Sequence, residues 1–423
     1  MITRTSRVFF FITIATLLLM SFYPLLTEVI VALWFCMSIV AIEPSGRRAS
    51  RQMLTLSALL IAFFVYTALT LLFSYDKVEG LRNLHTLLPF ALVPIIALSH
   101  YDKFDKNNSA LIKSFVVGVV MASLICLILA VFRSFYLIDG HLVFNPYISY
   151  RNQFVYTYLS VFLYTNTFAM YVVFAAAVII CALLYKKNRR PWLLWSGIAL
   201  CILMIFLLSS RTNVYALFII LYLSVVVFYC RFKRLIHSVL LFVGITLLFW
   251  VFQTFNYRVL NLSQKVTSYI TEEDIVTESG AVIKHPENIE NVNIRFQMWE
   301  TGFRLAKKYW VTGCGIGDFK SMLLSEYQHD GIQEACTKKY DQHNQYIETL
   351  GTSGVVGFFL LASILLYALI VAWYNRNYLL MCFLIIVSLN MLLESMFNRY
   401  NSSLFFVVAL LLSAQTSLAA DAK

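Results

Sequence analysis

Apolar positions in this chain gather into long blocks separated by short polar gaps. The blocks run over residues 8–23, 25–42, 53–73, 84–99, 110–137, 160–185, 191–209, 212–230, 235–254, 345–373, 377–394 and 401–419. Most reach the roughly 17–25 residues that a helix needs to cross about 30 Å of hydrocarbon. The pattern predicts an all-α integral membrane protein with about 12 transmembrane helices. The first and fourth blocks are short, which suits tilted or re-entrant segments. Two polar stretches interrupt the series, a small one at 138–159 and a large one at 255–343. The expected organisation is therefore nine spans over 1–254, a large loop over 255–343, and three spans over 344–423.

Composition agrees with this reading. The 423 residues are 60% hydrophobic and 13% charged, whereas soluble domains carry about 25% charged residues. A cleaved leader is not expected. The first block follows Arg4 and Arg7, but another begins within a few residues of Pro24, and no A-x-A-like site separates them. A net charge of +11 invites a nucleic-acid reading. Basic residues that mark cytoplasmic loops explain the charge better, so no nucleic-acid partner is expected.

The distribution of basic residues also orients the chain. With the N-terminus inside, the inner segments hold Arg4 and Arg7; Arg47, Arg48 and Arg51; Lys103 and Lys106; Lys186, Lys187, Arg189 and Arg190; Arg231, Lys233 and Arg234; and Arg376. The short outer segments hold only Lys77, Arg82, Arg151, Arg211 and Arg399. The bias places both termini in the cytoplasm and the large loop outside. Of eight cysteines, only Cys314 and Cys336 fall in that loop, where an oxidising compartment would allow a disulfide.

The loop has two characters. Its first half, with Thr271, Glu272, Glu273, Asp274, Ser279 and Gly280, reads as polar and irregular. In the second half Asn293 is a candidate cap for a helix running to about Tyr309 and stopped by Gly313. Glu300, Arg304, Lys307 and Lys308 share its polar face; Trp299, Gly302, Phe303, Ala306 and Trp310 line the other. Arg295 stands on the apolar side in the first turn, where helix N–H groups favour anions. Such a guanidinium suits a phosphate clamp or, equally, a pair with a carboxylate of the loop.

Three further features carry candidate chemistry. Ser209-Ser210-Arg211 joins two spans on the outer side, so Arg211 is either a snorkelling arginine or a fixed cation facing a cavity. Gly313-Cys314-Gly315-Ile316-Gly317-Asp318-Phe319 looks like a phosphate-cradling loop, but no strand precedes it and no Lys-Ser/Thr follows. A tight turn with close backbone packing is the better reading. Asp341-Gln342-His343-Asn344-Gln345 opens the tenth span, and Gly351, Gly354 and Gly357 give that span a face for close packing. His343 is a candidate general base, or else a satisfied interfacial histidine. Arg211, Arg295 and His343 all fall on the outer side. Two cations and one base suit a diphosphate-linked donor and a hydroxyl acceptor.

The ordered set Leu207-Leu208-Ser209-Ser210-Arg211, Asn293-Ile294-Arg295 with Trp299, Gly313 to Phe319, and His343-Asn344 resembles the O-antigen ligase and polymerase superfamily of bacterial envelope enzymes. The resemblance covers roughly residues 200–370; the N-terminal half agrees only in hydropathy. It implies a GT-C-like membrane glycosyltransferase in the bacterial inner membrane, with its large helical loop and active site in the periplasm. It also implies transfer of a glycan from undecaprenyl diphosphate to a sugar hydroxyl of lipid A–core, inverting and without metal or other cofactor. The expected partners are the lipid-linked donor, the lipid A–core acceptor and membrane lipid. Carried over by motif, His343 is the base, with Arg211 and Arg295 as the catalytic and diphosphate-binding cations. Ser210, Asn344 and Arg304 are further candidate substrate contacts. Glu394, Asn398 and Arg399 occupy the last outer turn, where the family often has an acidic or polar residue. A polymerase or a non-enzymatic transporter of the lipid-linked glycan are the alternatives. A transporter would more readily show internal repeats, and no repeat is evident between the halves.

Overall fold

In the computed structural model, residues 4–42, 49–138, 141–148, 151–185, 190–271 and 290–416 are described. Arg47, Arg48, Lys186, Lys187 and Arg189 lie outside the described residues, as does the polar stretch Glu272 to Gly280. Ten helices precede the large loop: α1 (Arg4–Leu19), α2 (Pro24–Val40), α3 (Arg51–Thr70), α4 (Lys77–Leu87), α5 (Pro89–Ser99), α6 (Tyr101–Arg133), α7 (Thr165–Tyr185), α8 (Pro191–Leu208), α9 (Arg211–Phe232) and α10 (Leu235–Thr271). The loop contributes α11 (Glu290–Lys308), α12 (Phe319–His329) and α13 (Gln333–Thr337). Helices α14 (Gln345–Tyr374), α15 (Tyr378–Leu393) and α16 (Tyr400–Ala414) follow.

Among the described residues, eight helical segments are long and apolar enough to cross a membrane, and four shorter apolar helices join them. These twelve sit where the twelve apolar blocks predict them. The molecule is an all-α integral membrane protein. One block is built differently from its hydropathy. The fourth span begins at Lys77 rather than near residue 84, because α4 and α5 run on through Leu88, and Pro89 starts a new first turn.

Burial sorts the helices. Every residue of α16 from Tyr400 to Ser413 is buried, and α7 is nearly as enclosed. Beyond their polar first turns both are apolar on all sides, as helices at the centre of a membrane bundle must be. Helices α8 and α10 instead expose Trp192, Trp195, Leu240 and Trp250, surfaces suited to lipid rather than water. Aromatic rings knit the centre: Tyr171 stacks on Phe405 at 4.7 Å and Phe90 on Phe406 at 5.6 Å.

Polar contacts define the two ends. At one, His100 meets Ser38, Asn375 donates to Gln52, and Asn377 donates to the carbonyl of Ser413. At the other end the large loop bonds to the α3–α4 connection and, through Asp341, to the α15–α16 connection. The α6–α7 connection has regular structure of its own. It forms two small antiparallel hairpins, β1 (Phe135–Ile138) with β2 (His141–Phe144) and β3 (Tyr147–Ile148) with β4 (Arg151–Asn152).

Candidate functional site

The second half of the large loop is clamped onto the bundle by the glycine-rich turn. Asp318 accepts hydrogen bonds from the backbone N–H groups of Tyr75 and Asp76. Thr70 and Ser74, at the end of α3, accept from the N–H groups of Ile316 and Gly317. A Cβ on Gly317 would overlap the Asp76 carbonyl, and one on Gly313 the Thr352 carbonyl. The turn is thus a backbone clasp, as the absence of a flanking strand and Lys-Ser/Thr suggests. Cys314 in the clasp and Cys336 in α13 are both free thiols. The disulfide that the sequence allowed is not formed: the first packs against α14 and the second against the carbonyl of Leu324 in α12. Burial raises the Cys314 thiol to about 12.

Helix α14 is broken to receive this clasp. Gly354 has φ +62°, and the carbonyls and amides around the break bond across to the loop: Cys314 N–H to Gly351, Gly315 N–H to Thr352, and Val355 N–H to the carbonyl of Trp310. The glycine face of α14 does permit close approach, but its neighbour there is the loop backbone, with Gly357 set against α3 through Tyr66.

The first turn of α14 presents His343. Asn344 caps the helix by accepting from the N–H groups of Tyr346 and Ile347, and it donates to the Leu392 carbonyl. The residue before the cap must reverse the chain, and His343 does so at φ +49°, a conformation costly for a non-glycine residue. Asp341 holds the reversal by accepting from the His343 N–H at 2.9 Å. The side chain of His343 is 17% exposed. Its Nδ1 lies 3.1 Å from Asp341 Oδ1 and 3.5 Å from Glu394 Oε2. Nε2 has no hydrogen bond to a described residue. Burial works against charge on the ring, but Glu394 and Asp341 outweigh it and raise the His343 pKa above its ordinary value, with Arg295 opposing.

Glu394, at the end of α15, is itself 4% exposed. Asn166 donates to one carboxylate oxygen, and Arg399 lies 3.9 Å from the other. Asn166 also accepts from Ser210 Oγ at 2.8 Å, and Asn213 donates to Ser210 and to Asn390. Four connections spread between residues 164 and 399 thereby converge on one carboxylate. Tyr164 carries the Arg399 guanidinium 3.7 Å above its ring. Burial and then Glu394 push its hydroxyl up to about 12. Tyr156, at φ +57°, is raised by the same two causes. Asn398 donates to the second oxygen of Asp341.

The structure therefore brings His343, Asn344, Ser210 and Arg295 to one place. Arg295 is exposed and acts electrostatically on both His343 and Tyr156. Arg211 heads α9 beside Ser210, with an exposed side chain. Neither arginine has an acidic partner among the described residues. Arg304 is not part of the group. It pairs with Asp330 at 2.5 Å and Glu326 at 3.4 Å on the loop surface. The reason is its place on the solvent side of α11, facing α12. Helix α11 itself starts at Glu290, so Asn293 lies inside it and is not its cap.

Sequence reasoning left Asp341, Glu394, Asn166 and Tyr164 without roles. One signal for Glu394 was available, since an acid closing an apolar helix is rare and usually functional. Residues 197–362 match a family model described as O-antigen ligase (Wzy_C). A search of curated proteins finds no match to the chain.

Proposed function

With residues 197–362 matching the O-antigen ligase family model in a chain of apolar helices, we propose that the protein belongs to that superfamily of membrane glycosyltransferases and is a ligase. It moves a glycan from undecaprenyl diphosphate to a sugar hydroxyl of lipid A–core on the periplasmic face of the inner membrane. The observation that carries this reading is the His343 arrangement. Two carboxylates lie within 3.5 Å of Nδ1, Nε2 is left for substrate, and two arginines with no acidic partner among the described residues stand at the same end of the bundle.

In this scheme neutral His343 donates its Nδ1 proton toward Asp341 and Glu394, so Nε2 carries the lone pair. The acceptor hydroxyl gives its proton to Nε2 as its oxygen bonds to C1 of the donor sugar. The C1–oxygen bond to diphosphate breaks, and its electron pair leaves with undecaprenyl diphosphate. Attack opposite the leaving group inverts the anomeric centre. Arg295 and Arg211 offset the charge developing on the diphosphate. Glu394 and Asp341 stabilise the imidazolium that forms. Ser210 and Asn344 serve the site by holding Glu394's partner Asn166 and the His343 turn.

The test is a reconstitution with undecaprenyl-diphosphate glycan and lipid A–core, run with and without EDTA. Glycan-bearing lipid A–core in both is the expected product. A lengthened donor with untouched core would make the protein a polymerase. No product with authentic donor and a range of acceptors would favour transport.

A further inference from the structure

Helix α11 carries a face that neither the fold nor the site uses. At about 100° per residue its side chains fall into three arcs. Met298, Thr301, Leu305 and Ala306 form the buried arc against the rest of the loop and α14. Glu300, Arg304, Lys307 and Lys308 form the solvated arc. Between these two arcs lies a narrow aromatic one. Phe296 and Phe303, with Trp310 in the turn just past the helix end, are spaced by seven residues and are 61%, 55% and 56% exposed. A helix whose core contacts are already satisfied has no packing reason to hold three exposed aromatics in line.

Helix lengths locate this face. From Gly354 to Tyr374, α14 is long enough to span about 30 Å, the whole hydrocarbon layer. Its first nine residues, 345–353, lie beyond the break. They cannot continue outward, because Asn344 and Gln345 bond to Leu392 and Phe397. Leu392 lies in the last turn of α15 and Phe397 just beyond it, and α15 starts from the same turn as α14 ends and has only 16 residues. The nine-residue arm must therefore run across the bundle end at the level where α15 stops. Helix α11 packs along that arm, from Val355 beside Trp310 to Ile347 and Gln342 beside Gly302. That contact sets α11 at the level where α15 ends.

We propose that α11 is an interfacial helix. Phe296, Phe303 and Trp310 sit in the bilayer surface, and Lys307 and Lys308 meet anionic lipid headgroups. The lipid surface is the partner because aromatic rings between an apolar layer and basic side chains are what that boundary favours. If the proposed function also holds, the helix sets Arg295 at the height of a lipid-borne diphosphate.

The test reads no transfer activity, so it succeeds or fails independently of the ligase assignment. Nitroxides are placed singly at Phe296, Phe303 and Trp310 of the full chain, with Cys36, Cys230, Cys314 and Cys336 replaced by Ser. Accessibility to oxygen and to a water-soluble nickel chelate is measured in nanodiscs of phosphatidylethanolamine and phosphatidylglycerol. Labels at Leu203, on the exposed face of α8, and at Gln328, exposed on α12, provide the lipid and water references. All three positions are expected to favour oxygen over nickel as Leu203 does. Nickel access like that at Gln328 overturns the proposal, and so does low access to both probes, which would mean a protein partner covers the stripe.

Discussion

Replacing Glu394 by Gln removes one charge from the His343 site and keeps the shape. Gln offers the same oxygen to Asn166, so the network linking α7, α8 and α15 survives. At 3.5 Å, a unit charge in an effective dielectric of 20 is worth at most about 5 kcal/mol. Arg399 at 3.9 Å already offsets part of it, and Asp341 stays in place. A part of that bound is the expected remainder, so the His343 pKa falls back toward its ordinary value. The sign follows from the base role. His343 works when neutral, and its pKa is raised, so wild-type transfer falls with acid along a limb lying above the ordinary histidine range. In Glu394→Gln that limb moves toward lower pH. The plateau rate falls by about 10²-fold, because the imidazolium formed in the transition state loses a preorganised partner. The assay is the pH profile of kcat/KM for glycan transfer in nanodiscs. A lower rate with an unmoved limb, or one that moves to higher pH, would refute the placement of Glu394 beside a titrating His343.

Other expectations follow from the geometry. Arg211→Lys and Arg295→Lys should each weaken donor use by about 10-fold or more, since lysine lacks the planar fork for a diphosphate; kcat/KM with a fixed acceptor checks this. Arg304→Ala should leave donor kinetics unchanged and cost less than about 1 kcal/mol of stability, because its pairs with Asp330 and Glu326 are half-exposed. A donor-specific loss in that variant would return Arg304 to the site. Gly354→Ala should lower thermal stability in detergent, by about 1–3 kcal/mol for the strained φ alone, with more from overlap with the Val311 carbonyl. An unchanged melting temperature would mean the α14 break is not required.

The twelve spans were legible because hydropathy is a local property, and each block carries its own signal. The clasp was legible in part, since Gly313, Gly315 and Gly317 announce close backbone approach. Helix α11 shows where local reading stops. On a wheel, Phe303 and Trp310 belong with Gly302 and Ala306, but the buried arc is narrower than the apolar arc and leaves both rings outside. Arg295 stands beside the same arc yet beyond the end of its packing, so it is exposed instead of buried with a partner. Asp341, two residues before His343, could have been suspected from spacing. The Asn166–Glu394 bond could not, because 228 residues separate the pair and neither lies in a motif. The hairpins at 135–152 were missed for a related reason, since strands of two to four residues leave little periodicity to read.

The central claim is that His343 is the base of a glycan transfer, and one comparison tests it most directly. Wild type and His343→Ala, both verified as inserted and folded by their melting curves, are given undecaprenyl-diphosphate glycan and lipid A–core in the same nanodiscs. The account predicts glycan-bearing lipid A–core from wild type and a loss of at least about 10²-fold in His343→Ala, with donor binding retained. Transfer by His343→Ala at the wild-type rate would contradict it.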